Sequence, residues 1–403
     1  MSSIFITRLA LKNFKSIERC NVELQSLTCL VGPNGAGKSN FIDALRFVRD
    51  ALTNSLEYAL RERHGLKEVR RRSSGHPTHF GIRVEFSLTD GRTGCYAFQV
   101  GAPSGGSTEV KQEQCTLVRP DGQPQISYLV KLGQVEGSDK KRAWPGAQKD
   151  RLYLTIASSF VEFRPLYDAL TSMMFYNINP AELRMPRAPE DDAILEAGGQ
   201  NLSSVLARIA VEEPQNKELI DQYLAKITST VQSVQRIPVG PYETLEFRQS
   251  VAGAKDPWRF YASSMSDGTL RALGILVALF QSSTKHSIRL VAIEEPEVAL
   301  HPGAALVLRE ALLRASTSVQ VVVTSHSPDL LDDKDFSPES FLAVSGHDGI
   351  TQIAPLDDAA KKVVQQNLFT VGELLRLNQL TPNVELFERG TSNSQMSLLF
   401  DTE

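Results

Sequence analysis

Residues 27–45 read LTCLVGPNGAGKSNFIDAL: an apolar run, a glycine-rich turn and the start of an amphipathic pattern. Gly32, Gly37, Lys38 and Ser39 fit the spacing G-x-x-x-x-G-K-[ST]. The run before them reads as a strand, and Phe41, Leu45, Val48 and Leu52 behind them fall at helical spacing. That strand–loop–helix setting separates a phosphate-binding loop from an ordinary glycine turn. Small residues at Gly32, Gly35, Ala36 and Gly37 let backbone N–H groups turn towards an anion at a helix N-terminus, where the dipole also favours negative charge. Gly32, Pro33, Asn34, Gly35, Ala36, Gly37, Lys38, Ser39 and Asn40 are therefore the expected nucleotide contacts. Within this loop Lys38 is expected to reach the β- and γ-phosphates and Ser39 to ligate Mg²⁺.

Three later stretches answer to the first. LVAIEEPEVALHP (290–302) is an apolar strand ending in two carboxylates. Opposite a phosphate loop, Glu294 is expected to serve the Mg²⁺ and Glu295 to orient or deprotonate the attacking water. VVVTSHSPDLL (321–331) repeats the design and ends in His326, placed to donate to a γ-phosphate or to that water. SSMSDGTLRALGILVAL (263–279) opens a helix with Ser266 as N-cap, so Ser266, Asp267, Gly268 and Thr269 present free N–H groups and a hydroxyl to an anion. One nucleotide needs one phosphate loop. A second phosphate-facing helix start points to a nucleotide held by another subunit, and a bulky side chain at Gly268 is expected to block that approach without disturbing the subunit's own loop.

The 403 residues, 41% hydrophobic and 22% charged, can bury a large core. A formal charge of −4, from 43 Lys+Arg against 47 Asp+Glu, gives no global attraction to nucleic acid. Cys20, Cys29, Cys95 and Cys115 form no C-x-x-C pair, and with no secretory leader in the first residues they suggest reduced thiols and a cytoplasmic protein. The longest apolar run, ALGILVALF (272–280), is too short for a membrane span.

Between the loop and residue 150 the pattern alternates in FGIRVEFSL, CYAFQV, EQCTLVRP and ISYLVKL, which predicts an antiparallel β lobe. Residues 151–227 read as mainly helical around a loop, FYNINPAELRMPRAPEDD; strands are expected from about Gln235 to Tyr261. The β–α alternation that follows predicts a parallel sheet. The resulting division is 1–150, an N-terminal lobe with the phosphate loop and β-rich insertion; 151–262, a helical and β insertion; 263–355, a C-terminal lobe; and 356–403, a helical tail. Its last stretch, RGTSNSQMSLLFDTE, reads as a frayed end.

Taken in order, these motifs resemble the ATP-binding-cassette (ABC) ATPases, specifically the soluble branch of RecF, the chromosome-maintenance heads and the overcoming-lysogenization-defect group. LKNFKSI (11–17), Asn40 after GKS, and MSDGT (265–269) in the place of the Ser-Gly-Gly-Gln signature carry the likeness. PAELRMP (180–186) and GGQNLSSVLARI (198–209) are similar to AAA-type ATPases of that branch. The resemblance implies an α/β fold: a P-loop NTPase head of ABC type with a mixed sheet, an antiparallel β lobe and a helical subdomain. It also implies ATP and Mg²⁺, a homodimer closed around ATP, and hydrolysis by Lys38, Glu295 and His326. Asp is common in relatives where Glu294 stands. The Q-loop glutamine is open among Gln112, Gln114, Gln123, Gln125, Gln134 and Gln148. No long heptad hairpin separates the phosphate loop from the signature, which argues against encircling DNA.

Such engines act on DNA or a DNA-acting partner, commonly in repair or anti-phage defence, and that step rests on the resemblance alone. The alternatives are an ATP-gated scaffold for a separately encoded toxin or nuclease and an intrinsic nuclease. For the last, fewer than 80 residues follow His326, and the nearest D-x-D is Asp333 and Asp335. A basic run of Arg61, Arg63, Lys67, Arg70, Arg71 and Arg72 is the candidate DNA contact, above all Arg70, Arg71 and Arg72; Lys140, Lys141 and Arg142 form a smaller group.

Overall fold

The computed structural model describes residues 4–73, 77–102, 108–191, 194–282, 287–333 and 336–383. The expected frayed stretch 389–403 lies outside them. In chain order the strands are β1 (Ile6–Phe14), β2 (Ile17–Glu23), β3 (Leu27–Val31), β4 (His79–Ser87), β5 (Thr93–Gly101), β6 (Glu109–Val118), β7 (Pro124–Lys131) and β8 (Gln134–Gly137). These are followed by β9 (Met174–Tyr176), β10 (Val231–Val239), β11 (Tyr242–Gln249), β12 (Trp258–Tyr261), β13 (Leu290–Glu294), β14 (Gln320–Ser325), β15 (Phe341–His347) and β16 (Ile350–Pro355).

Thirteen strands form one mixed sheet in the order β8-β7-β6-β5-β4-β1-β2-β16-β15-β3-β14-β13-β9. From β8 to β2 every pairing is antiparallel, which is the expected β lobe. From β15 through β3, β14 and β13 to β9 every pairing is parallel. The β15–β16 hairpin, from far along the chain, is inserted between the two halves and joins β2 to β3. β10, β11 and β12 form a separate antiparallel sheet.

Alternation along the parallel strands assigns the two faces. Leu30, Ala292 and Val322 enter a core with Phe41, Leu45 and Val48 of the P-loop helix, Lys38–Thr53. Cys29, Val31, Val291, Ile293, Val321 and Val323 enter another core with Leu270, Leu273 and Val277 of the helix Asp267–Phe280. The two helices that open on candidate phosphate sites thus pack on opposite faces of one sheet.

Two elements depart from expectation. β9 lies inside the stretch read as helices and loop, because three residues are too few to show a period; β13 captures them in parallel register. The second sheet starts at Val231 rather than near Gln235, where a register shift after Val231 breaks the alternation.

Gln320 pins the first strand to the core. Its side chain is fully buried. Oε1 accepts from the N–H groups of Phe5 (3.2 Å) and Ile6 (2.8 Å), and Nε2 donates to the carbonyls of Ile6 (2.8 Å) and Gln25 (3.0 Å). Gln320→Leu keeps the volume but strands these backbone groups, so urea unfolding should show a loss of about 2–4 kcal/mol. A loss under about 0.5 kcal/mol would remove this anchor from the account.

Candidate functional site

The phosphate loop has the backbone its glycines predict. Gly35 (φ 77°) and Gly37 (φ 104°) take left-handed conformations that L side chains rarely adopt. The β15–β16 hairpin braces the loop from beneath. A Cβ at Gly32 would stand 2.0 Å from the Val344 carbonyl oxygen, and one at Gly37 2.1 Å from Thr351 Oγ1. Thr351, 2% exposed, donates to the Ala36 carbonyl at 2.8 Å. Its hydroxyl also lies 2.7 Å from Ser16 Oγ, which accepts from the Asn40 amide at 2.7 Å. Asn40 is thus placed on the LKNFKSI stretch. Pro33, Asn34, Gly35 and Ser39 are exposed at the mouth of the loop. Lys38 is buried, and its ammonium donates to the carbonyls of Gly32 (2.8 Å) and Pro33 (3.0 Å). Burial pushes this ammonium below the ordinary lysine range, against the attraction of Glu295 and Glu297.

The parallel register brings the other motifs to the same sheet edge. Thr324 of β14 pairs with both Leu30 and Glu294, so the C-terminal ends of β3, β14 and β13 stand side by side. Glu294 Oε1 accepts from Arg46 of the P-loop helix at 3.1 Å, and the Arg46 guanidinium lies over the Phe175 ring of β9. Glu295 has φ 45°, in the left-handed region, and its N–H donates to the carbonyl and the hydroxyl of Thr324, each at 3.1 Å. Its carboxylate Oε1 lies 3.3 Å from His326 Nδ1.

Sequence reading missed a third acid. Glu297 is 8% exposed, and its Oε1 accepts from Ser325 Oγ at 2.7 Å and from the His326 N–H at 3.2 Å. His326 is therefore flanked by two carboxylates, with Glu297 Oε1 3.9 Å from Nδ1. The repeated acids of EEPE were the available signal. Arg271 was also missed; it donates to the carbonyls of Ile178 (2.7 Å) and Glu295 (3.1 Å).

Ser266 caps its helix as expected: Oγ accepts from the Thr269 N–H at 3.2 Å. Arg184 of PAELRMP holds this turn, donating to the Met265 carbonyl at 2.8 Å and to the Asp267 carboxylate. Gly268 differs from expectation as a site for a blocking substitution. A Cβ there meets the Ala299 carbonyl oxygen at 2.5 Å, so any side chain also displaces the turn after β13. Ser266, exposed, is the position that can carry one.

Other expectations are corrected. Five of the six candidate Q-loop glutamines, Gln112, Gln114, Gln123, Gln125 and Gln134, lie on β6, β7 and β8 or their turn, at the far end of the sheet from β3; Gln148 lies in the segment after β8. The polar residue at the end of the strand beside β13 is Asn177, exposed after β9. Arg63 is buried: it holds Asp43 at 2.7 Å and Asp50 at 3.1 Å on the P-loop helix and presents no surface charge. Arg71 is paired with Glu18 at 3.2 Å and Arg72 with Glu68. Arg142 holds Glu162 at 2.8 Å. Asp333 is paired with Arg309, while Asp335 lies outside the described residues. Among the described residues no group of three His, Cys, Asp or Glu side chains could hold a metal, and no helix is long and apolar enough to cross a membrane.

Known proteins resemble this chain. Endonuclease GajA of Bacillus cereus (strain VD045) is 22% identical over 353 residues, covering 82% of this chain and 56% of GajA, so the chain spans little more than half of that relative. The chromosome partition protein Smc of Methanocaldococcus jannaschii is 44% identical over 46 residues, 11% of this chain and 4% of Smc. An Smc head bound to the C-terminal winged-helix domain of ScpA superposes with a TM-score of 0.52 at 16% identity, covering 89% of this chain and 99% of the head. The Smc head with an extended coiled coil, bound to the C-terminal domain of ScpA derived from Pyrococcus furiosus, gives a TM-score of 0.52 at 14% identity, covering 90% and 99%. At these identities the likeness establishes the head fold, a large mixed sheet with a P-loop. The sequence profile described as "AAA domain, putative AbiEii toxin, Type IV TA system" matches residues 27–332, and the chain belongs to that family of P-loop AAA ATPase domains.

Proposed function

We propose that the protein binds and hydrolyses ATP in a homodimer, each ATP lying between the phosphate loop of one subunit and the Ser266 helix start of the other. The observation that carries this reading is the placement of Lys38, Glu294, Glu295 and His326 at one sheet edge, while the capped Ser266 start belongs to a helix packed on the opposite face. Lys38 would hold phosphate, and Glu295, 3.3 Å from His326, would take the water's proton.

The residues fit Mg²⁺. Ser39 offers an exposed hydroxyl in the first turn and Glu294 a carboxylate, the oxygen donors this ion prefers, with phosphate and water supplying the remainder. When bound, the ion neutralises phosphate charge.

The work done by closure is directed at DNA or a DNA-acting partner. Support comes from the names of the endonuclease and chromosome-partition relatives, and the toxin in the family's description favours a second reading, an ATP-gated scaffold for a separately encoded toxin or nuclease. The deciding experiment measures ATP turnover of the purified protein alone, with duplex DNA, and with the products of neighbouring genes. Turnover should vanish in Lys38→Ala; stimulation by DNA supports the first target, stimulation or arrest by a partner the second.

For DNA, Arg70, Arg71 and Arg72 remain the proposed contacts. Because Arg71 and Arg72 already hold Glu18 and Glu68, a phosphate must displace those carboxylates. Changing all three to Ala should flatten the log–log salt dependence of duplex binding by about one unit for each phosphate no longer neutralised. An unchanged slope assigns them to intramolecular pairs.

A further inference from the structure

Arg271 is the least expected residue around the catalytic edge. It sits on the helix Asp267–Phe280 among leucines, 9% exposed. Nη1 donates to the Ile178 carbonyl at 2.7 Å; Nη2 donates to the Glu295 carbonyl at 3.1 Å and lies 3.4 Å from that of Glu294. Its Nε is buried without a hydrogen-bond partner. Burial lowers the guanidinium below its ordinary range, against the pull of Glu297 and Glu295. Stability alone does not explain such a residue. Burying this charge with a bare donor costs stability that its bonds to the carbonyls only offset.

What the guanidinium holds explains it better. Glu295 stands in a left-handed conformation, which persists only where neighbours over-determine it. Thr324 fixes its N–H from β14, and Arg271 fixes its carbonyl from the helix. The carboxylate near His326 is therefore aimed by a backbone clamped from two sides. Two glycines let the same helix ride directly on the segments that Arg271 grips. A Cβ at Gly268 would meet the Ala299 carbonyl oxygen at 2.5 Å, and one at Gly274 would meet Ile178 Cγ2 at 2.7 Å. With so little slack, the helix cannot shift or roll without moving the Glu295 turn and the segment after β9.

We propose that Arg271 is a positioning residue that couples the Ser266 helix to the Glu295 carboxylate, so that engagement of Ser266 by the second subunit's nucleotide resets the water-activating group in its own subunit. This rests on the ATPase reading above and adds to it a link between the two sites of a dimer, carried by one side chain. The coupling element is physical: a rigid helix, a clamped turn and three backbone carbonyls.

The test compares wild type, Arg271→Met, Arg271→Lys and Glu295→Gln in full-length protein. Binding of a fluorescent ATP analogue, kcat, KM, melting and hydrogen exchange of the Glu295 amide are measured. Arg271→Met should bind nucleotide like wild type and melt somewhat lower, because the carbonyls lose their donor, but well below its melting range it should lose about tenfold or more in kcat with KM little changed and exchange the Glu295 amide faster. Arg271→Lys, able to reach one segment but not grip two, should fall between. Wild-type kcat and exchange in Arg271→Met overturns the proposal, as does hydrolysis that falls only in step with binding and melting. Should Arg271→Met fail to fold, Arg271→Lys decides: a lower kcat at unchanged KM supports the coupling, and wild-type kcat and exchange overturns it. Failure of the underlying reading is distinct, since Glu295→Gln would then hydrolyse ATP like wild type while the exchange arm still reports the clamp.

Discussion

Glu295→Gln should lower ATP turnover by about a hundredfold or more while ATP binding survives and closed dimers accumulate. The substitution keeps the shape of the side chain, the left-handed turn and the backbone bonds to Thr324, because those involve main-chain atoms. It removes only the carboxylate charge that receives the proton of water. A substitute base is not at hand. Glu297 is 8% exposed; its Oε1 is committed to Ser325 and to the His326 N–H, and its Oε2, though without a partner, is buried away from the water. Glu294 is engaged by Arg46 and aimed at the P-loop helix. A trapped dimer follows because hydrolysis is the step that would release the sandwich. Size-exclusion chromatography with ATP and Mg²⁺, beside a phosphate-release assay, checks both halves. Wild-type turnover would remove Glu295 from catalysis, and loss of turnover together with binding would make it a structural acid.

What the sequence disclosed about this site, and what it hid, divides along physical lines. Local signals were legible: the strand–glycine–helix of the phosphate loop, the apolar strand into Glu294 and Glu295, the cap at Ser266. Each is set by chain neighbours within one or two turns. Long-range pairing was hidden. Nothing near residue 350 announces that Thr351 lies under Gly37, because strand partnership across three hundred residues leaves no periodicity. Burial of charge was hidden too. Arg63 stands in a basic run that reads as surface, yet Asp43 and Asp50, seven residues apart on the P-loop helix, face the same side and draw it inward. Arg271 is the same case in reverse, a cation inside an apolar helix whose partners are carbonyls that composition cannot show. β9 combines both difficulties: three residues long, it is a strand only because β13 is beside it.

Mixing two inactive variants should restore turnover. Lys38→Ala removes the ammonium that lies at the loop and should abolish phosphate binding in its own subunit. Ser266→Arg projects a long cation from an exposed helix start, the place where a partner's nucleotide would dock. Loss of the cap costs about 1 kcal/mol, too little to unfold the chain. Gly268 is unsuitable because its Cβ would strike the Ala299 carbonyl and disturb the turn bearing Glu295. In a heterodimer of the two variants one composite site carries both lesions. The other pairs an intact phosphate loop from the Ser266→Arg subunit with an intact helix start from the Lys38→Ala subunit. Equal mixing makes about half of the dimers hetero, each with one of two sites sound, so about a quarter of wild-type turnover is the ceiling that independent sites would reach; the Arg271 link lowers recovery below it, because the Glu295 of the sound site belongs to the subunit whose Ser266 helix is not engaged. Recovery should rise and fall with total protein concentration, as association requires. A mixture no more active than the mean of its components would mean either that both sites must fire together or that no site is shared. Ser266→Arg alone separates the two: wild-type turnover in that variant, undiminished on dilution, would reduce Ser266 to Thr269 to a helix cap and end the shared-site mechanism.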